Sequence, residues 1–81
     1  MKFELYQRIA LSHDLPEHRL RQGDIGTLID FVPHPQSGET GCVVELFNAL
    51  GDSLAVVALP LSMVEPLRAD EIIAVRSLAQ V

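Results

Sequence analysis

Eighty-one residues with 48% hydrophobic content make one small folded domain, and eleven acidic against six basic side chains leave it with a formal net charge of −5. That acidic balance excludes the classes of partner that depend on lysine and arginine, so nucleic acid and an anionic membrane surface are not expected ligands. A single cysteine, Cys42, rules out an intrachain disulfide. With the charged opening Met1-Lys-Phe-Glu-Leu-Tyr-Gln-Arg8, where a secretory signal would be apolar, it sets the expectation of a cytoplasmic protein. No apolar run approaches the roughly 20 residues that cross a bilayer. Five prolines and five glycines in so short a chain favour several short strands over a helical bundle.

The first strand is expected within residues 3–12, with Leu5, Ile9 and Leu11 on one face and Tyr6, Arg8 and Ala10 on the other. A long loop follows from His13 to Asp24. Pro16 biases Leu15 away from helix, and Leu15 and Leu20 are placed to pin the loop on the core. Glu17, His18, Arg19 and Arg21 are then left in water.

Gly23 and Gly26 bracket Asp24-Ile25 and read as a structural turn feeding the second strand, residues 25–32. Simple alternation there puts Ile25, Thr27, Ile29 and Phe31 on one face, with Leu28 and Val32 on the other. Pro33 and Pro35 end that strand, and residues 34–41 make a polar hairpin loop. The third strand is Cys42-Val-Val-Glu-Leu-Phe-Asn48, followed by a turn with Gly51-Asp52 at its tip.

The fourth strand, Leu54-Ala-Val-Val-Ala-Leu59, is apolar on both faces, which suits a central or covered strand. Leu61-Ser-Met reads as a 3₁₀ turn before a short last strand at Val64-Glu-Pro-Leu67. In the tail, Asp70 can cap a helix whose stripe is Ile72, Val75, Leu78 and Ala79, whereas Ile72-Ile-Ala-Val75 has the β-branching of a strand. The expectation here is an extended, partly paired segment from Ile72 to Arg76.

Five short strands, a long first loop and a 3₁₀ turn before the last strand describe a mainly all-β protein, a small SH3-like barrel over residues 1–68. Residues 69–81 form a tail that packs on the barrel or on a neighbouring subunit. An OB-type barrel is the competing architecture, but it needs more chain and a helix between its third and fourth strands.

Asp14-Leu-Pro-Glu-His-Arg-Leu-Arg-Gln-Gly-Asp-Ile-Gly-Thr27, with Val44-Glu-Leu-Phe47 and Leu59-Pro-Leu-Ser-Met-Val-Glu-Pro-Leu67, also resembles a bacterial family of short uncharacterised proteins. The resemblance covers residues 3–67 and implies an SH3-like fold with no established activity. Some of those relatives are similar to companions of toxin-like genes, which implies an antitoxin or immunity role. The tail after Arg68 lies outside the pattern.

His13, Asp14, Glu17 and His18 are the one set of residues with metal or acid–base chemistry. A metal site needs three or four convergent ligands, and a solvated loop with Asp14 capping a turn and Glu17 paired to an arginine is the expected reading. Gly23-x-x-Gly26 lacks the lysine, hydroxyl residue and helix of a phosphate loop. Cys42 has no base near it in sequence and reads as a buried thiol.

Four aromatic residues (Phe3, Tyr6, Phe31, Phe47) and no tryptophan are too few to line a groove for proline-rich peptides or to stack bases. The apolar content of Leu54–Leu59 and of Ile72–Val81 exceeds what a small barrel buries internally. The expectation is therefore a non-enzymatic protein–protein interaction module without cofactor or metal, self-associating or bound to a protein partner. Asp14, Glu17, His18, Arg19, Arg21 and the tail would be its contact surface. An antitoxin-like role and a small metal-dependent enzyme are the alternatives.

Overall fold

The computed structural model describes residues 3–33 and 38–78. Residues 34–37 of the expected loop and the last three residues of the tail, Ala79 of the helical stripe among them, lie outside that range. The protein is mainly β, with five antiparallel strands in one sheet of order β4-β3-β2-β1-β5. The strands are β1 (Arg8–Leu11), β2 (Ile25–Val32), β3 (Gly41–Phe47), β4 (Ser53–Pro60) and β5 (Val64–Pro66), with short 3₁₀ turns at Pro16–His18 and Leu61–Met63.

The two edge strands are consecutive in the chain, and this shapes the sheet. Neighbouring strands sit about 4.8 Å apart, so a flat sheet would separate β4 from β5 by about 19 Å. Only the 3₁₀ turn at Leu61–Met63 joins them, and such a turn advances only about 2 Å per residue. The sheet must roll. Among the described residues β4 and β5 form no ladder with each other, so the rolled sheet is not a closed barrel.

The roll encloses Ile9, Leu11, Leu28, Cys42, Val44 and Leu46, all essentially removed from water, with Phe3, Leu15, Leu20, Val57, Leu59 and Val64 around them. Each large aliphatic residue so buried contributes about 1.5–3 kcal/mol. Two register shifts set which side chains enter this core. Leu28 faces Val44 but Asp30 faces Val43, so Ile29 is an extra residue on β2. The bulge brings Phe31 round opposite the buried Cys42, where simple alternation had grouped it with Thr27 and Ile29. On β4, Leu54 is the extra residue between the pairs Leu46–Ala55 and Phe47–Ser53.

Three expectations are corrected. The first strand begins at Arg8 because Leu5 and Tyr6 turn the chain, with Tyr6 at φ 70°. Leu5 is left outside and Phe3 occupies the core instead. The fourth strand is neither central nor covered: β4 is an edge, with Val57 and Leu59 buried and Leu54 and Val56 in contact with water. Residues 72–76 of the tail are extended but pair with no strand, and they form no helix.

Candidate functional site

Asp24 stands at the start of β2, where two hydrogen bonds close a tight turn. Its N–H donates to the Arg21 carbonyl at 3.0 Å, and the Arg21 N–H donates to its Oδ2 at 2.8 Å. Gly23 makes this turn at φ +93°, a backbone that glycine adopts without penalty, and its N–H donates to the Leu11 carbonyl at 2.8 Å. Gly26 has a different role from the expected turn glycine. It lies inside β2, facing the core, where an added Cβ would stand 2.5 Å from Val44 Cγ1 and 3.0 Å from Leu46 Cδ1. A side chain there would force Val44 to shift.

The first loop is built back on itself. Leu15 and Leu20 bridge each other through two backbone hydrogen bonds of 2.9 and 3.1 Å, and both are buried. The reversal between them needs Arg19 in the left-handed region at φ 59°, just after the 3₁₀ turn. Asp14 ties the loop's base, its Oδ1 accepting the Gln22 N–H at 2.8 Å.

From β5 the chain turns at Arg68–Glu71 and runs back to this loop. Arg76 docks there. Its Nε donates to Asp24 Oδ1 at 2.8 Å and its Nη2 to Asp24 Oδ2 at 2.5 Å, a two-pronged ion pair. The same Nη2 donates to the Arg19 carbonyl at 3.0 Å. Both partners are largely withdrawn from water. Burial by itself would push the Asp24 carboxyl up, but the hydrogen bonds from Arg76 and the Arg21 backbone, with the charges of both arginines, outweigh it. The group is held below its ordinary value and stays ionised.

The tail thereby divides two open clefts. One, of about 320 Å³, is lined by Asp14, Pro16, Arg19, Leu20, Arg21, Arg76 and Leu78. The other, of about 350 Å³, runs between Ile73–Arg76 on the tail and Ile25, Leu46, Phe47 and Leu54 on the sheet. A third, of about 440 Å³, lies at the far end around Val32, Cys42 and Leu59 and is almost wholly apolar.

Of the residues expected to form the contact surface, Asp14, Arg19 and Arg21 line the first cleft, whereas Glu17 and His18 do not. Those two sit exposed in the 3₁₀ turn, and Glu17 has no ion pair among the described residues. Asp24 and Arg76 carry the site and were missed. The signal for Arg76 was its position as the lone cation in the apolar segment from Ile72 to Leu78.

Elsewhere, Ser12 Oγ lies 3.0 Å from His13 Nδ1 and donates to the Ser62 carbonyl at 3.2 Å, which fastens β1 to the second 3₁₀ turn. Glu39 grips the same turn, accepting the Ser62 N–H at 2.6 Å and its hydroxyl at 3.1 Å. Among the described residues, no three of His, Cys, Asp and Glu come together as metal ligands. Among the described residues no helix is long and apolar enough to cross a membrane.

The chain matches no curated protein and no solved structure. A domain of unknown function, DUF4926, matches residues 5–66, from the first turn to the end of β5, and the chain belongs to that family.

Proposed function

We propose that the chain is a non-enzymatic, SH3-like interaction module of the cytoplasm that binds extended polypeptide in the cleft at its first loop. The ligand is a segment carrying an arginine, with a large apolar residue two positions further on. One observation carries this reading: an extended polypeptide with that pattern, the chain's own tail, already lies there, its Arg76 forked onto Asp24 and capped by the Arg19 carbonyl. Leu78 follows into the cleft beside Pro16 and Leu20. Recognition by a carboxylate, a backbone carbonyl and an apolar wall suits an arginine-bearing strand and not a proline-rich helix. The acidic charge of the domain favours such a ligand at long range.

The test is a titration of a synthetic peptide with the sequence of residues 70–78 into the full chain carrying Arg76→Gln, followed by calorimetry and by amide shifts. Saturable one-to-one binding that perturbs Arg19, Leu20 and Asp24 is expected. Adding Asp24→Asn should weaken it at least tenfold. Absence of binding, or binding indifferent to Asp24→Asn, would overturn the reading.

A further inference from the structure

The tail's attachment has an unusual economy. Among the described residues from Leu67 to Leu78, every hydrogen bond to the rest of the domain comes from Arg76, and the only backbone–backbone bond is Glu71 N–H to the Arg68 carbonyl. No ladder ties the tail to its own sheet. The link to β5 is an exposed turn, closed by Arg68 N–H to Glu71 Oε1 at 2.6 Å and by Arg68 Nε to Asp70 Oδ1 at 3.0 Å. Such a tail seats as well on an identical cleft in another copy, since every contact it makes is reproduced there.

Between that turn and Arg76, Ile72 and Val75 are 93% and 92% exposed. Two β-branched residues held almost wholly in water, in an extended segment whose backbone is unpaired, are an open strand without a neighbour. About a twofold axis, two such segments run antiparallel, pair their free backbone groups and shade these side chains. A second copy is the one partner guaranteed to present the matching strand.

From this we infer that the tail is exchanged between two copies of the chain, each copy's Arg76 seated on the Asp24 carboxylate of the other, with residues 72–75 crossing at the axis. The inference rests on the reading of the cleft as a polypeptide-binding surface and adds the identity of its occupant. Each site is then completed by a residue of the neighbouring copy.

Charge exchange tests it. Full chains carrying Asp24→Arg alone or Arg76→Asp alone each oppose like charges and should run as monomers of 8.9 kDa. Mixed in equal amounts they restore both ion pairs only in trans, and light scattering after gel filtration should read twice that mass. Wild type should do the same. A mixture that stays monomeric, while a chain carrying both substitutions is folded by circular dichroism, overturns the exchange. Should either single variant fail to fold, wild type decides. Labelled and unlabelled copies refolded together should show intermolecular nuclear Overhauser effects between Leu78 and Leu20, and their absence in a monomer overturns the proposal. Peptide binding to the Arg76→Gln chain with a monomeric mixture removes the exchange and leaves the cleft reading standing.

Discussion

Arg76 meets Asp24 fork to fork across 52 positions of sequence, with Nε to Oδ1 at 2.8 Å and Nη2 to Oδ2 at 2.5 Å. The same carboxylate accepts the Arg21 N–H, so one side chain both closes the turn into β2 and holds the tail. A planar guanidinium makes both prongs and still reaches the Arg19 carbonyl, which a lysine ammonium at the end of a flexible stem does not reproduce.

This pair makes the tail acid-sensitive. The folded-state value of Asp24 lies below its ordinary 3.8, so its contribution is fully present above that value. It is lost as the pH falls through the lowered one. Amide shifts of Ile73–Leu78 should therefore be flat from neutral pH to about pH 4 and move together only below it. In Asp24→Asn they should sit at the released position at every pH. A wild-type midpoint above 3.8 would contradict the assignment.

How much of this could be read from the chain follows from what each feature depends on. Strand content was legible because apolar and β-branched runs between glycines and prolines reflect local preference. Leu15 and Leu20 were legible as the loop's anchors because they are the only large apolar residues there. The bulges at Ile29 and Leu54 were not, since a bulge depends on the partner strand's register and not on the bulged residue itself. The partnership of Asp24 and Arg76 was hidden for a related reason: it joins a turn residue to a tail residue, and no periodicity links them. The edge position of β4 was misread because an apolar run does not tell whether its outward face meets a neighbour or water, and here Leu54 and Val56 meet water.

Gly26→Ala tests the close approach of β2 to β3. The new Cβ would stand 2.5 Å from Val44 Cγ1, with Glu45 O at 3.1 Å behind it, so Val44 must shift within a filled core. A loss of about 1–3 kcal/mol is expected, the usual cost of overpacking, read as a lower urea midpoint at unchanged slope. In a Val44→Ala background the same change should cost less than it does in wild type, because the clashing methyl is then absent. Gly23→Ala, by contrast, meets nothing within 4 Å but forces a positive φ on a residue with a side chain. Its cost is conformational, of about 1–2 kcal/mol.

Cys42 should be inert in the native state. It is fully buried, and burial first, then the charge of Glu39, pushes its thiol up from the ordinary 9.0. The reactive thiolate is thus suppressed at neutral pH and also shielded from reagent. Native protein mixed with a coloured aromatic disulfide should release negligible thiolate over minutes and one equivalent at once in denaturant. Release in native buffer at the rate of a free thiol would show that the end of the sheet around Leu59 opens readily.

Asn48 organises the turn that delivers β4, and its substitutions separate geometry from charge. Its Oδ1 accepts the N–H groups of Leu50 and Asp52, each at 2.9 Å, while Nδ2 donates to Asp52 Oδ2 at 3.1 Å. Asn48 N–H reaches the Asp52 carbonyl at 2.8 Å, and Gly51 completes the loop at φ +92°. Asn48→Ala strands two backbone donors that water can still reach, so a loss of about 1–2 kcal/mol is expected. Asn48→Asp keeps an acceptor for both donors but replaces the bond to Asp52 with a repulsion between carboxylates. That variant should therefore be weaker than wild type at low ionic strength and recover towards it as salt screens the two charges, whereas the alanine variant should show no such recovery. Equal salt dependence of the two variants in urea denaturation would mean that the backbone alone, through Gly51, sets the turn.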